Sequence, residues 1–336
     1  MAGSTSPAHH ASEAGAVVSV RGLTKRYGDL EAVAGVDFDV RRGETFGFLG
    51  PNGAGKTTTI KMLCTLATPT AGSASVAGYD VVRDRDGVRR NIGLVFQDTT
   101  LDSYLTAEVN LRFHAELYGV PRSLIADRIR EVLEIVGLTD RKDSRVITFS
   151  GGMMRRLEIA RGLLHSPRVL FLDEPTIGLD PQTRAHIWAY IEDLKRQEDI
   201  TIFLTTHYMD EAEHSDRIAI IDAGRIVVLD TPEALKASVG SDRVQIQTTD
   251  DETAIASLRD RFAIDAAVHE GMVTFHVESG EQFVPRLFEQ LGVAIGAVRV
   301  ARPTLDDVFM TYTGRTIRDA EAENPLKTMA KAWRRR

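Results

Sequence analysis

The chain has 336 residues, an apolar fraction of 43% and a formal net charge of −7. That length accommodates two domains with a sizeable core, and the acidic balance excludes bulk attraction to nucleic acid, so no nucleic-acid partner is expected. A lone cysteine, Cys64, rules out an internal disulfide and fits a reducing compartment, where it reads as a packing residue.

Residues 1–16 are small and polar, lack the apolar core of a secretion signal and read as a disordered lead. From Val17, VVSVRGLTKRY and VDFDV are expected as strands near a sheet edge. ETFGFLG is an apolar strand that runs into GPNGAGKTT, and TTIKMLCTLA continues as a helix. The longest uncharged stretch, Met62 to Tyr79, is too rich in Thr, Ser, Gly and Pro to be a membrane span. SASVAGYDV and IGLVFQ are further strands, and residues 105–164 are mostly helical. RVLFLDEP is a strand ending in two acids, and ITIFLTTH is a strand ending in histidine. DRIAIIDAGRIVVLDTP reads as two strands around an Ala-Gly turn. Strands alternating with helices predict an α/β fold with a mainly parallel sheet, and the helical stretch 105–164 interrupts it as a subdomain.

A boundary is expected near Val239-Gly240-Ser241, closing a first domain at 17–240. The pattern after it, residues 241–314, is βαββαβ, a small α+β ferredoxin-like domain. PTLDDVFMTYTGR follows as a helix, and a tail at 315–336 ends in KAWRRR. That basic end suits either solvent or an anionic lipid surface.

Gly50-Pro51-Asn52-Gly53-Ala54-Gly55-Lys56-Thr57, followed by Thr58, fits the phosphate-loop pattern of P-loop NTPases and stands between an apolar strand and a helix. Glycines let the backbone N–H groups wrap phosphates, Lys56 reaches the β and γ phosphates, and the Thr57 hydroxyl binds Mg²⁺. Asp173 emerges at the end of its strand where it can hold Mg²⁺, and Glu174 can orient or deprotonate an attacking water. Alone, such an acidic pair would equally serve as a solvated strand end. Gln97 and His207 also close apolar strands, where ligands bind in parallel sheets. Gln97 can touch Mg²⁺ or the water; His207 can touch the γ-phosphate or act as a structural hydrogen-bonder. Tyr27 can stack on adenine or be a half-buried strand aromatic. FSGGMMRR is a second candidate anion site: Ser150, Gly151 and Gly152 open a helix whose free N–H groups attract phosphate.

Taken together and in order, GPNGAGKTT, Gln97, FSGGM, FLDEPT, GLD and TTH resemble the ATP-binding subunit of an ABC transporter over residues 17–240. The resemblance implies ATP and Mg²⁺ as ligands, with two ATPase subunits pairing head to tail as a homodimer. Ser150, Gly151 and Gly152 would then bind the γ-phosphate held by the partner chain, and Asp180 in GLD would cross the same interface. Phe149 and Met153 depart from the family's usual Leu and Gln. QDTTLDSYLTAEVNL, FSGGMMRRLEIARGLLHSP and LDDVFMTYTGR narrow the resemblance to the daunorubicin/doxorubicin-resistance type. That type implies drug export through a separate integral-membrane permease, docked near 98–111, with the ATPase peripheral on the cytoplasmic face. It also implies an assembly or regulatory role for the C-terminal domain, with LDDVF either supporting that role or serving as an amphipathic helix over the small domain's sheet. The alternative is a soluble ABC ATPase outside transport. The 94 positions between Lys56 and Ser150 leave no room for the long coiled coil of the DNA-repair members, and the Ser-Gly-Gly motif has no place in a kinase or GTPase.

Overall fold

The computed structural model describes residues 15–197, 200–269, 271–314 and 317. The expected lead and the tail with its basic end therefore lie outside the described residues, apart from positions 15, 16 and 317. The chain begins with a hairpin of β1 (Ala16–Tyr27) and β2 (Leu30–Arg41), paired antiparallel with Tyr27 opposite Leu30. β3 (Thr45–Leu49) leads through residues 50–55 into α1 (Lys56–Leu63). β4 (Ala71–Val76), β5 (Tyr79–Asp80), α2 (Arg85–Asn91) and β6 (Ile92–Val95) follow. α3 (Ala107–Leu117), α4 (Arg122–Ile135) and α5 (Gly151–Leu163) then intervene before β7 (Val169–Asp173). α6 (Pro181–Gln197), β8 (Thr201–Thr206), α7 (Met209–Ala212), β9 (Arg217–Asp222) and β10 (Arg225–Asp230) complete this part.

The strands form two sheets. One has the order β10-β9-β3-β8-β7-β6, with β9, β3, β8, β7 and β6 parallel; the other has the order β2-β1-β4-β5. β1 and β2 thus belong to a separate antiparallel sheet. Only Gly28 and Asp29 join them, and so short a link allows only an antiparallel pair.

Strand periodicity divides the core between the two faces of the parallel sheet. Phe171 on β7 and Phe203 on β8 face the antiparallel sheet, where they join Phe38, Phe46 and Phe48. Leu170, Leu172, Ile202 and Leu204 face the other way, onto α3, α4, α5 and α6. Because both faces are covered, every residue of β3, β7 and β8 is buried, which is why these strands read as unbroken apolar runs. The sequence gives α5 one apolar face, through Leu157, Ala160, Leu163 and Leu164. The structure buries residues 157–163 without interruption, and Arg155, Glu158 and Arg161 go inside with them.

The described residues divide into two compact units, the second spanning Asp230–Thr316, ahead of the boundary expected at 240. It begins with α8 (Pro232–Ser238), which packs against α11 (Leu305–Thr313) of the same unit. Between them lie β11 (Asp242–Thr248), α9 (Asp251–Phe262), β12 (Ala266–His269), β13 (Met272–Val277), α10 (Gly280–Gln290) and β14 (Ile295–Ala301). The strand order β12-β13-β11-β14, antiparallel throughout, is the expected ferredoxin-like arrangement. Val244, Ile246, Val273 and Phe275 pack with Leu258 of α9 and Leu287 of α10 as its core.

Candidate nucleotide site

The loop 50–55 turns the end of β3 into the start of α1. Gly55 has φ +109°, and a Cβ there would stand 2.5 Å from the Ala32 carbonyl oxygen, so the turn admits only glycine. Gly50 N–H donates to Thr206 O at 3.2 Å, which ties the loop to the end of β8. Lys56 opens α1 and is buried; its Nζ donates to Gly50 O at 2.7 Å and Pro51 O at 3.1 Å and stands 3.1 Å from Glu174 Oε1. The ammonium is thus held inside the loop that encloses it.

β7 delivers Asp173 and Glu174 to the same place. Asp173 Oδ1 accepts from Thr205 Oγ1 at 2.6 Å and Thr57 Oγ1 at 3.2 Å. Burial raises the Asp173 pKa above the usual carboxylate value, with the two hydroxyl donors working against it. Glu174 sits at φ +48°, a left-handed conformation that costs a non-glycine residue about 1–3 kcal/mol. Its N–H donates to Thr205 O at 3.2 Å and Thr205 Oγ1 at 3.1 Å. Its two carboxylate oxygens face Lys56 Nζ at 3.1 Å and His207 Nδ1 at 3.4 Å. Burial pushes this carboxyl upward as well, but His207 and Lys56 outweigh it and the net displacement is downward. Two adjacent acids are therefore moved in opposite directions by their partners. An ionised, oriented carboxylate beside a phosphate loop suits the polarisation of a water for attack on a phosphoryl group.

Lys56, Thr57, Asp173, Glu174 and His207 thus form one cluster, with Gly50 and Pro51 supplying carbonyls to it. Gln97 is exposed two positions beyond β6 and shares no hydrogen bond with that cluster among the described residues. Tyr27 ends β1 half-exposed, with Lys25 Nζ 4.9 Å from its ring centroid. Ala54 is buried under the loop, Asn52 and Thr58 are half-buried, and Gly53 is exposed.

Ser150, Gly151 and Gly152 stand at the N-terminus of α5, where the exposed Ser150 hydroxyl accepts from Met153 N at 3.3 Å as the cap. Their neighbour is the loop of Asp180: Asp180 accepts from Thr183 N at 3.0 Å and Thr183 Oγ1 at 2.6 Å, and these bonds hold its carboxyl below the usual range. A Cβ on Gly152 would meet Thr183 Cγ2 at 2.4 Å. Packing within the chain therefore demands this glycine, in addition to any close approach to a ligand.

Residues 33–177 match the family described as ABC transporter, and residues 231–313 match the C-terminal domain of DrrA1-3-like ATP-binding proteins. The chain is 40% identical to a daunorubicin resistance ATP-binding protein of Streptomyces coeruleorubidus over 91% of this chain and 98% of that protein. The chain belongs to the ABC transporter ATP-binding proteins. As an ABC ATPase it binds and hydrolyses ATP. It is also 36% identical to a linearmycin resistance ATP-binding protein of Bacillus subtilis, over 90% of this chain and 100% of that one. Identity to a Nod factor export ATP-binding protein of Ralstonia nicotianae is 39%, over 90% and 95%. Among solved structures, a subunit of an ABC transporter complex from Clostridium perfringens superposes with a TM-score of 0.62 at 27% identity, covering 74% of this chain and 96% of that one. A dimeric ATP-binding cassette in a post-hydrolysis state with ADP and Pi gives 0.57 at 26% identity, covering 64% and 98%.

Sequence reading passed over three residues of this ABC ATPase that hold the site together. Thr205 serves both acids, as donor to Asp173 and acceptor from Glu174 N. Glu211 on α7 is buried, accepts from Thr206 Oγ1 at 2.7 Å and from Thr176 Oγ1, and so joins the segments that carry His207 and Glu174. Arg155 reaches the same segment from α5. Threonine is common in buried strands, the acidic run around Glu211 reads as solvated, and Arg155 reads as part of the polar face of an amphipathic helix.

Proposed function

We propose that this ABC ATPase energises export of a drug- or antibiotic-like compound through a separate membrane permease, as a homodimer peripheral on the cytoplasmic face. The observation that carries the proposal is an uncovered apolar stripe on α3. Leu105 precedes the helix, and Val109, Phe113 and Leu117 repeat at four-residue spacing, 38–68% exposed. Beside it opens a cleft of about 360 Å³ lined by Leu66, Arg89, Thr100, His114, Leu117 and Arg161. An exposed apolar stripe beside a cleft is what an amphipathic segment of a partner needs. The stripe begins within 98–111, the segment expected to meet the permease. Among the described residues no helix is long and apolar enough to cross a membrane, and we assign the transport path to that partner.

In this reading ATP binds at residues 50–58, with Tyr27 against the base. Thr57, Asp173 and Gln97 would hold Mg²⁺, which would neutralise phosphate charge. Glu174 takes the proton of the attacking water, the bond from the γ-phosphorus to the bridging oxygen breaks, and ADP and phosphate leave. His207 contacts the γ-phosphate. Ser150, Gly151 and Gly152 cap the partner subunit's ATP, and Asp180 lines the same junction. The resistance proteins at 36–40% identity support an antibiotic-like cargo. The test is cellular retention of a fluorescent anthracycline when the chain is co-expressed with its permease. Wild type should lower retention and Glu174→Gln should restore it; equal retention in both overturns the export reading.

A further inference from the structure

Arg155 lies on the second turn of α5 and is 7% exposed. A buried guanidinium must place its N–H groups, and here they go to main-chain carbonyls at the ends of two strands. Nε donates to Pro175 O, Nη1 to Phe96 O at 2.5 Å and Nη2 to Glu174 O at 2.8 Å; Nη2 also reaches Asp173 O at 3.4 Å. The planar fork fixes where these carbonyls stand relative to one another, which a lysine, a point charge on a flexible stem, cannot do.

The carbonyl at Glu174 is the one that needs holding. A left-handed φ at a non-glycine residue persists only where its surroundings over-determine it. Thr205 fixes the Glu174 N–H, and Arg155 fixes the carbonyl, helped by Ile177 N at 3.3 Å. One turn further along α5, Glu158 accepts from Thr100 N at 2.6 Å, and Arg161 donates to Thr100 Oγ1. With the bond to Phe96 O, the segment 96–100 around Gln97 is therefore gripped at both ends by the same helix.

We propose that Arg155 is a positioning residue for ATP hydrolysis: it locks the strained backbone of Glu174 so that the carboxylate stays aimed between Lys56 and His207. This rests on Glu174 being the hydrolytic carboxylate. Among the described residues Arg155 makes no hydrogen bond to the side chain of Glu174 or to the phosphate loop, so its loss acts chiefly on turnover, and any change in nucleotide affinity is confined to what the segment around Gln97 contributes.

The experiment compares steady-state ATP hydrolysis, binding of a fluorescent ATP analogue and the thermal midpoint for the full chain and for Arg155→Lys and Arg155→Gln. Expected is a fall in kcat of about 10- to 100-fold, with KM and analogue affinity within about 2-fold of wild type. Arg155→Lys keeps the charge and loses the fork, and it decides the matter if Arg155→Gln does not fold. Wild-type kcat in Arg155→Lys overturns the proposal. So does a joint loss of kcat, affinity and thermal midpoint, the pattern of general damage. Glu174→Gln in the same assay keeps the two readings apart: normal turnover there removes Glu174 from its role, whatever Arg155 does.

Discussion

Glu174 is 6% exposed and has Lys56 and His207 against its two oxygens, whereas Ser150 and Asp180 stand in solvent on the same compact unit. Both regions use residues suited to phosphate chemistry. The first is electrostatically complete within one chain: a buried acid is held ionised by a cation and an imidazole. The second is satisfied by local caps, Met153 N on Ser150 and Thr183 on Asp180. What separates them is desolvation. Buried charges must be compensated in place, while an exposed helix N-terminus tolerates waiting for a ligand because water serves its N–H groups in the interim.

The strongest way to break this comparison is Glu174→Gln. It should cut phosphate release by about 10²- to 10⁴-fold while ATP still binds; near-normal release would mean the buried cluster is not the hydrolytic one. Ser150→Arg attacks the other region. Nucleotide binding to the isolated chain should persist, and the ATP–Mg²⁺-dependent dimer of a Glu174→Gln background should vanish in light scattering. A surviving dimer would remove the exposed edge from the proposed junction. Gly152→Ala sharpens the contrast from the packing side. The new methyl must displace Thr183, so thermal denaturation should show a loss of about 1–3 kcal/mol even without nucleotide. An unchanged midpoint would mean that Thr183 yields freely.

The smallest effect is on pH dependence. Burial raises Asp173, so the folded protein holds that proton more tightly than the unfolded chain. The stability Asp173 contributes is then present below its unfolded pKa and is lost as pH rises through the raised folded value. Glu174 is lowered, so its contribution is present above the ordinary carboxylate value and is lost as pH falls through the depressed one. In the nucleotide- and Mg²⁺-free chain, thermal stability should accordingly lose the Asp173 contribution as pH rises from below the ordinary carboxylate value. Thr205→Val removes the stronger hydroxyl donor from Asp173 and should move that loss to higher pH. A loss that stays put would assign it to another group.

The motif at 50–57, the acid pair at 173–174 and the strand-ending histidine were legible because their chemistry requires particular residue types at particular places, and each follows an apolar strand. The ferredoxin-like order of the second unit was legible for a similar reason: alternation and helix periodicity are local properties. Arg155, Thr205 and Glu211 were not, since their role depends on what packs over them. A helix with polar residues at 155, 158 and 161 reads as amphipathic until β6, α3, α4 and α6 pack around it. The hairpin of β1 and β2 was legible as strands, but its membership of a separate sheet was not, because that sheet is completed by β4, which pairs with β1 from far along the chain.

By itself, then, the sequence determined the phosphate loop, the identity of the acids, the parallel α/β core and the family likeness. These follow from backbone freedom at glycine, side-chain chemistry and the periodicity of burial. Tertiary structure alone decided that Asp173 and Glu174 are displaced in opposite directions, that Gly152 is needed against Thr183, and that a buried arginine holds the backbone carbonyl of Glu174. The physical reason is that desolvation and hydrogen-bond geometry are properties of neighbours brought together by folding. The partners of Arg155 alone come from residues 96 and 173–175.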